Sequence, residues 1–438
     1  MSRLARLGGA LLLTATMAGS VPAVGQAAAP LARREVLPNG AVLLVAERPT
    51  LPIVVIRVSV PAGAVRDPAD GLGLANLTAD LLTRGTTRRS GPELDRAIEF
   101  VGGSLEADAG RDSAIVTLSV LKKDLALGLD LLAEVLRQPT FPADEVARKI
   151  ADIQASLRRA EQSPETVAAR TLGPLIFPGH PYGQPAAGTV ESVGKLTREQ
   201  VVAFHRLHYR PDGANIVAVG DVTEPEIRRA LMQRLAGWTA PTAALPPVPP
   251  PAPTVAASSR QITRDLSQTT VLLGRPSIRQ DDPDYFPLAV ATYVLGGGSA
   301  SRLYTRVREE RGLAYSVYAG AQPARYGASY LVSLQTRTDA VAEAVKLVRE
   351  EMARMGREPM APGELELAKS YLIGSFPLRL DTSGKLARFL GAVEESGLGL
   401  DYPERYKERI GRVTVEEAQR VAVKYLDPAT FSSVMVGK

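Results

Sequence analysis

The chain of 438 residues contains no cysteine, which excludes disulfide bonds and metal sites built from thiolates. It has three histidines, so nitrogen ligands for a metal are also scarce. Contents of 45% hydrophobic and 23% charged residues are typical of an ordinary globular protein. The length is about three times a rough 150-residue domain, so we expect two or three domains with cores that need no covalent cross-links.

Strong charge of one sign is lacking as well. The 52 Lys and Arg residues against 47 Asp and Glu residues give a net charge of +5. Without residues 1–27, which contain Arg3 and Arg6 but no acid, the charge falls to +3. No basic stretch is interleaved with aromatic residues either, so the sequence argues against nucleic-acid binding.

The chain also lacks a long apolar run. Its first residues carry Arg3 and Arg6, then a short apolar run over 7–17, then small residues over 23–29. This pattern predicts a secretory signal peptide over 1–27, followed by export to a bacterial periplasm. No later segment reaches about 18 apolar residues, which argues against a stable membrane span.

A proline-rich segment divides the rest of the chain. Seven prolines lie between residues 239 and 254, which disfavours helix and favours an extended, semi-rigid connector. We interpret residues 239–257 as a linker rather than as the ligand of a proline-recognition module.

The sequences on either side of this linker resemble each other. A strand, a polar turn and an amphipathic helix over 114–136 recur over 329–352, at an offset of 215 residues. This repeat predicts two homologous α+β domains, at 32–238 and 258–438, each an antiparallel sheet packed with helices. A ferredoxin-like alternation of strands and helices would give the same pattern.

Three stretches carry a resemblance to a known family: GLANLTADLLTRGT at 73–86, HPYGQPAAG and the following residues at 180–222, and LGGGSASRLYTRVREERGLAYSV at 295–317. Together they resemble the M16 zinc peptidases, the pitrilysin and mitochondrial-processing-peptidase group. The resemblance implies two duplicated domains per chain. It also implies a clamshell of four such domains, formed by two subunits, around a chamber for unfolded peptides.

Active members of that family carry a His-x-x-Glu-His motif on a helix. The histidines share a helix face and bind zinc, the glutamate takes a proton from the bound water, and a later glutamate completes the ligand set. The resemblance aligns the two histidines with Asn76 and Asp80, the motif glutamate with Ala79 and the later glutamate with Ser156. Such a set does not suit catalytic zinc. We therefore expect no metal in this chain and zinc in a partner subunit.

No other catalytic pattern replaces the zinc motif. His205 and His208 are spaced for a metal pair on a helix, but no third ligand is evident nearby, so we interpret them as packing or surface residues. A Gly-x-Ser-x-Gly motif is absent. The sequence GGGSAS at 296–301 lacks the Lys-Ser/Thr of a phosphate-binding loop.

The second half keeps two polar residues of interest. Arg308 lies in the last turn of a predicted helix ending near Arg311, with Gly312 as its cap, and Tyr315 follows at the start of a strand. In the resembled family an arginine and a tyrosine with this spacing face the substrate opposite the zinc. The resemblance thus implies that Arg308 and Tyr315 act in trans, where both can stabilise an oxyanion. Helix-dipole and packing roles are the alternative. Neighbours with similar chemistry are Arg306, Arg311 and Tyr318.

Three consecutive glycines precede this helix. Gly296, Gly297 and Gly298 either cap a helix or form a flexible, substrate-binding rim that touches the peptide. Simple alternation along the following strand places Tyr318 on the opposite face from Tyr315.

We therefore expect a non-zinc subunit of a heterodimeric periplasmic M16-type metallopeptidase, inactive alone and acting on unfolded peptides when paired. Its partner would be a homologous subunit with an intact zinc motif. The alternatives are a catalytically inactive structural or peptide-binding homologue, and an accessory factor for maturation of a secreted peptide. The presence of Arg308 and Tyr315 favours the non-zinc peptidase subunit over the structural homologue.

Overall fold

The computed structural model describes residues 30–438, so the signal peptide expected at 1–27 lies outside the described residues. Leu31–Lys438 form one compact unit. Within the described range, no helix has both the length and the apolar character needed to cross a membrane.

Two β-sheets form in the described residues, one in each half of the chain. The strands of the first sheet are β1 (Arg33–Val36), β2 (Val42–Glu47), β3 (Ile53–Val60), β4 (Ser104–Ala109), β5 (Ala114–Leu121) and β6 (Asn215–Gly220). The strands of the second sheet are β7 (Ser259–Thr263), β8 (Gln268–Ser277), β9 (Ala314–Pro323), β10 (Ala328–Arg337) and β11 (Ser432–Gly437).

Helices connect and cover these strands. The first half contains α1 (Leu74–Leu81), α2 (Gly91–Phe100), α3 (Leu125–Arg137), α4 (Ala143–Ala160), α5 (Pro164–Ile176), α6 (Val190–Gly194), α7 (Arg198–His208) and α8 (Glu224–Arg234). The second half contains α9 (Tyr285–Gly296), α10 (Val341–Arg357), α11 (Pro362–Ser375), α12 (Ser383–Glu395), α13 (Tyr402–Arg412) and α14 (Val415–Tyr425).

The two sheets share one topology. Their strand orders are β1-β2-β6-β3-β5-β4 and β7-β11-β8-β10-β9, so β2 to β6 match β7 to β11 in chain order. The pairs β2/β6 and β7/β11 run parallel, and all other neighbouring strands are antiparallel. The predicted α+β class is confirmed. Each sheet is mixed rather than purely antiparallel. Of its five matching strands, the first and the last along the chain are neighbours and run parallel.

Both faces of the first sheet are buried, as its central strands show. Ile56 on β3 and Ile216 on β6 belong to the large core that also contains α1 and α3. Their neighbours Val55 and Val217 point to the other face and join a separate cluster. Side chains alternate across a strand, so a continuous apolar sequence such as that of β3 indicates a strand with two covered faces.

The helix on this second face comes from the other half of the chain. Leu390 of α12 packs with Val217 and Val219 of the first sheet. Conversely, Leu172 of α5 packs with Leu272 and the other apolar residues of the second sheet. Each sheet therefore buries one apolar face against a helix that the other half supplies.

The predicted linker runs without regular secondary structure over residues 239–257. Side chains of the first half donate hydrogen bonds to its carbonyl oxygens. These bonds run from Arg66 to Pro246, from Arg210 to Ala243 and from His180 to Pro249, at 2.5, 2.6 and 2.9 Å. Proline carbonyls keep their acceptor capacity although the residue has no N–H group, so the linker is held along the surface of the first half.

Candidate functional site

The helix aligned with the zinc motif is part of the core scaffold. Gly73, with a φ of 94°, precedes α1 in the left-handed region that favours glycine. The carboxylate of Asp67 accepts hydrogen bonds from the backbone N–H groups of Gly73 and Ala75, at 2.7 and 2.8 Å, which satisfies donors at the helix start. Leu77 and Leu81 are fully buried. The apolar pattern thus accounts for the helix without any metal.

The aligned zinc positions do not form a zinc site. Ala79 is fully buried, Asn76 and Asp80 are partly buried, and Ser156 is exposed on α4. No group of three or more His, Cys, Asp or Glu side chains within residues 30–438 is placed to hold a metal ion. Catalytic zinc needs three protein ligands and an open position, so the residues present do not fit zinc.

A lysine lies beside this helix instead. The Nζ atom of Lys149 on α4 is 3.9 Å from a carboxylate oxygen of Asp80. Burial raises the pKa of Asp80, and the positive charge of Lys149 acts in the opposite direction. Sequence reasoning missed Lys149. Its signal is the spacing, because Lys149 and Ser156 are seven residues apart and therefore share a helix face.

The three histidines serve packing and hydrogen bonding. Nε2 of His205 lies 3.0 Å from the carbonyl oxygen of Leu136, and its ring stacks on Tyr209 at a centroid distance of 4.7 Å. Burial lowers the pKa of His205 and of His208 to about 4, with nearby Arg66 and Arg210 adding to the effect at His208. His180 is bonded to the linker.

In the second half, the predicted helix contains an unusual turn. Tyr304–Glu309 adopt a π-helical conformation. Gly312 follows with a φ of 59°, its N–H donates to the carbonyl of Arg308 at 3.0 Å, and β9 begins at Ala314. The predicted glycine cap and strand start are confirmed. π-Helical turns are rare and recur at functional sites.

Arg308 differs from the other arginines of this segment. Its guanidinium has no ion pair and no side-chain hydrogen bond with any residue in 30–438. The other arginines are paired with carboxylates: Arg302 with Glu364, Arg306 with Glu310 and Glu351, and Arg311 with Glu343. These ion pairs distinguish Arg308 from its neighbours Arg306 and Arg311 as the candidate substrate-binding arginine. The sequence alone could not make that distinction.

Tyr315 stands out from its strand because of a β-bulge. The residues on either side of it pair with Gln335 and Thr336, which are consecutive on β10, so Tyr315 is the extra residue. Tyr315 is 78% exposed, and Tyr318 is 53% exposed. Ala314 and Val317 both lie in the core although they are three residues apart, so the bulge at Tyr315 interrupts the simple alternation on which the prediction of opposite faces was based.

The structure brings Arg308 and Tyr315 into contact. The Cζ atom of Arg308 lies 5.0 Å from the ring centroid of Tyr315 and 4.7 Å from that of Tyr304. Both distances lie within the range of cation–π interactions. Tyr304 was missed at the sequence level, although its spacing of four residues from Arg308 is a normal signal for helical neighbours.

The three glycines lie where α9 meets β9. A Cβ atom on buried Gly296 would be 2.7 Å from the Cβ of Ala319, so this position allows a close approach of helix and strand. Gly297 caps α9, and its N–H donates to the carbonyl of Tyr293 at 3.1 Å. Gly298 borders the Tyr293 ring. These contacts agree with a capping function, and contact with a peptide stays a prediction.

Two family models match the chain. Residues 42–190 match "Insulinase (Peptidase family M16)", and residues 195–372 match "Peptidase M16 inactive domain". An uncharacterized zinc protease of Mycobacterium tuberculosis is 28% identical, with 94% of each chain covered. A protein of Helicobacter pylori named "Non-peptidase homolog YmxG" is 26% identical, with 90% of this chain and 91% of that protein covered.

Solved structures agree with these matches. The crystal structure of a peptidase M16 inactive domain from Pseudomonas fluorescens has a TM-score of 0.87 and 29% identity, and the match covers 93% of this chain and 97% of that one. A protease from Helicobacter pylori has the same TM-score at 19% identity, covering 93% and 100% of the two chains, which supports the fold alone. The chain therefore belongs to the M16 peptidase family, and its residues 195–372 match the inactive domain of that family.

Proposed function

We propose that this chain is the non-zinc subunit of a heterodimeric M16 metallopeptidase in the periplasm. Its partner is a homologous chain with an intact His-x-x-Glu-His motif, and its substrates are unfolded peptides. The observation that carries the proposal is the state of Arg308, which has no carboxylate partner within residues 30–438 and contacts the exposed Tyr315. The signal-peptide pattern at 1–27 supports the location.

The two side chains offer complementary donors to a substrate. The guanidinium of Arg308 is permanently charged and presents several N–H donors in one plane, and the hydroxyl of Tyr315 is a neutral donor. Zinc in the partner would supply the activated water. Arg308 and Tyr315 would then bind the substrate carbonyl and stabilise the negative charge that develops on its oxygen.

The functional groups in the two halves of this chain support an active site that is shared between two chains. The first half of this chain has a methyl group at Ala79, where the resemblance aligns the general base, and Lys149 lies 3.9 Å from Asp80. The second half keeps an unpaired cation and an exposed phenol. Such donors can assist catalysis if another chain provides the reacting atoms.

A second candidate is a structural or peptide-binding homologue without any part in catalysis. The name of the Helicobacter pylori relative, a non-peptidase homologue, favours it. In this alternative Arg308 and Tyr315 only bind a peptide or stabilise the bulge.

The test uses the purified chain alone and mixed with an M16 chain that carries an intact zinc motif from the same organism. We expect no cleavage of an unstructured fluorogenic peptide by this chain alone and cleavage by the mixture. Removing one oxyanion donor costs about 10² to 10³ in rate, so Arg308→Ala and Tyr315→Phe should reduce turnover by that order. Complex formation and zinc content should stay unchanged.

Tyr318→Phe is the matched control. It removes the same hydroxyl from an exposed tyrosine of the same strand, one that lies outside the Arg308 contact. Full activity of Tyr315→Phe and Arg308→Ala in a verified complex would refute the proposed function and leave the structural alternative.

A further inference from the structure

The side chain of Tyr304 has no assigned function, yet it contacts the proposed catalytic arginine. It is partly buried at the start of the π-helical turn, and its ring centroid lies 4.7 Å from Cζ of Arg308. We propose that Tyr304 is a positioning residue that holds Arg308 next to Tyr315 while leaving its N–H donors free. The catalytic consequence rests on the proposed function above, but the contact itself does not.

An arginine that binds a substrate oxygen must be held in position and must also keep its N–H donors free. A long side chain without a partner is conformationally free, and a carboxylate that fixes it also occupies its donors. Arg302 illustrates the second case, because two of its nitrogen atoms bond to both carboxylate oxygens of Glu364 at 2.7 Å. Aromatic rings offer another solution, since they attract the cation through their π-electrons and take no N–H donor.

The local backbone provides this arrangement. The π-helical turn includes both Tyr304 and Arg308, and the bulge supplies Tyr315 from the neighbouring strand. The N–H of Gly312 fixes the carbonyl of Arg308 at the end of the turn. Two irregularities, one in a helix and one in a strand, therefore meet at the same guanidinium.

The first experiment measures turnover in the assembled peptidase. Tyr304→Leu removes the ring, and we expect kcat to fall by about 3- to 10-fold, the size of a partly exposed cation–π interaction, with KM little changed. Tyr304→Phe keeps the ring and should restore kcat to near the wild-type value. Tyr318→Leu is the matched control on an exposed ring and should have no such effect. In an Arg308→Ala background, Tyr304→Leu should cause no further loss, because the residue acts through Arg308.

The second experiment needs no partner. In protein labelled with ¹³C-arginine, the NMR signals of the Arg308 δ-methylene protons should be displaced by the ring, and Tyr304→Leu should move them toward random-coil values. Unchanged signals would overturn the inference, as would equal losses of kcat from Tyr304→Leu with and without Arg308. If Arg308→Ala leaves turnover intact, the proposed function fails, while a moved NMR signal still supports the positioning contact.

Discussion

At the scale of single residues, an ammonium group lies beside the helix that the resemblance aligns with the zinc motif. Lys149 is 3.9 Å from Asp80, which aligns with the second zinc-binding histidine. Burial alone makes a carboxylate costly to ionise, and a nearby ammonium group offsets part of that cost. An ammonium group at this point also repels a cation. We therefore expect Lys149, a residue outside the motif, to oppose metal binding beside Asp80.

This arrangement predicts the result of restoring the motif. The triple variant Asn76→His, Ala79→Glu and Asp80→His should hold less than one zinc per chain after dialysis against a weak chelator. Ser156 supplies no carboxylate, and Lys149 loses its only ion-pair partner among the described residues. Adding Ser156→Glu and Lys149→Gln should increase the zinc content measured by elemental analysis. One tightly bound zinc in the triple variant would contradict this account.

The buried histidines predict a dependence of stability on pH. Burial lowers the pKa of His205 and of His208 to about 4, below the value of about 6.5 in an unfolded chain. Between these values the unfolded state binds more protons, so the free energy of unfolding falls as pH decreases from 6.5 toward 4 and is insensitive to these groups above 6.5. The slope is at most about 1.4 kcal/mol per pH unit for each histidine.

The check is urea unfolding at several pH values with His205→Gln. Glutamine keeps a donor for the carbonyl of Leu136 but does not titrate. The slope between pH 6.5 and 4 should decrease by about one proton's contribution, and the slope above pH 7 should match that of the wild type. Identical acid slopes in the two proteins would show that His205 does not contribute.

At the scale of elements, regular segments could be predicted and irregular ones could not. Apolar spacing identifies α1, and glycine identifies the helix end at Gly312, because these signals are local. The bulge at Tyr315 and the π-helical turn depend on how a helix and a strand fit against each other. Lys149 was missed for the same reason, since its partner lies on a different helix.

The sequence repeat also does not reveal which helix covers which sheet. The sequence shows two similar halves, but it does not show that α5 covers the second sheet and α12 the first. A helix that covers the sheet of its own half and a helix that covers the sheet of the other half both bury an apolar face, so both require the same apolar periodicity.

At the scale of the whole molecule, the duplication combines a common topology with different chemistry. Five strands of the first sheet have the same order as the second sheet, but the first half carries the helix aligned with the zinc motif and the second carries the Arg308 and Tyr315 contact. Because α5 packs on the second sheet and α12 on the first, buried apolar contacts join the two halves in addition to the linker. Their unfolding should therefore be cooperative.

The exchange of α5 and α12 predicts how the protein behaves when its linker is cut. A protease recognition site inserted at residues 254–256, beyond the carbonyls held by Arg66, Arg210 and His180, allows the linker to be cut in the folded protein. We expect the two fragments to elute together in size-exclusion chromatography and to unfold in one calorimetric transition, because each sheet still needs a helix from the other fragment.

Weakening the exchanged helices provides the control. Leu172→Asp and Leu390→Asp place a charge in each apolar contact, which costs several kcal/mol, roughly 3 to 5, when the site is fully buried. The cut double variant should separate into two fragments, whereas the uncut double variant stays in one piece through its linker. If the cut wild-type protein separates under native conditions, the linker, and not the exchange of helices, holds the halves together.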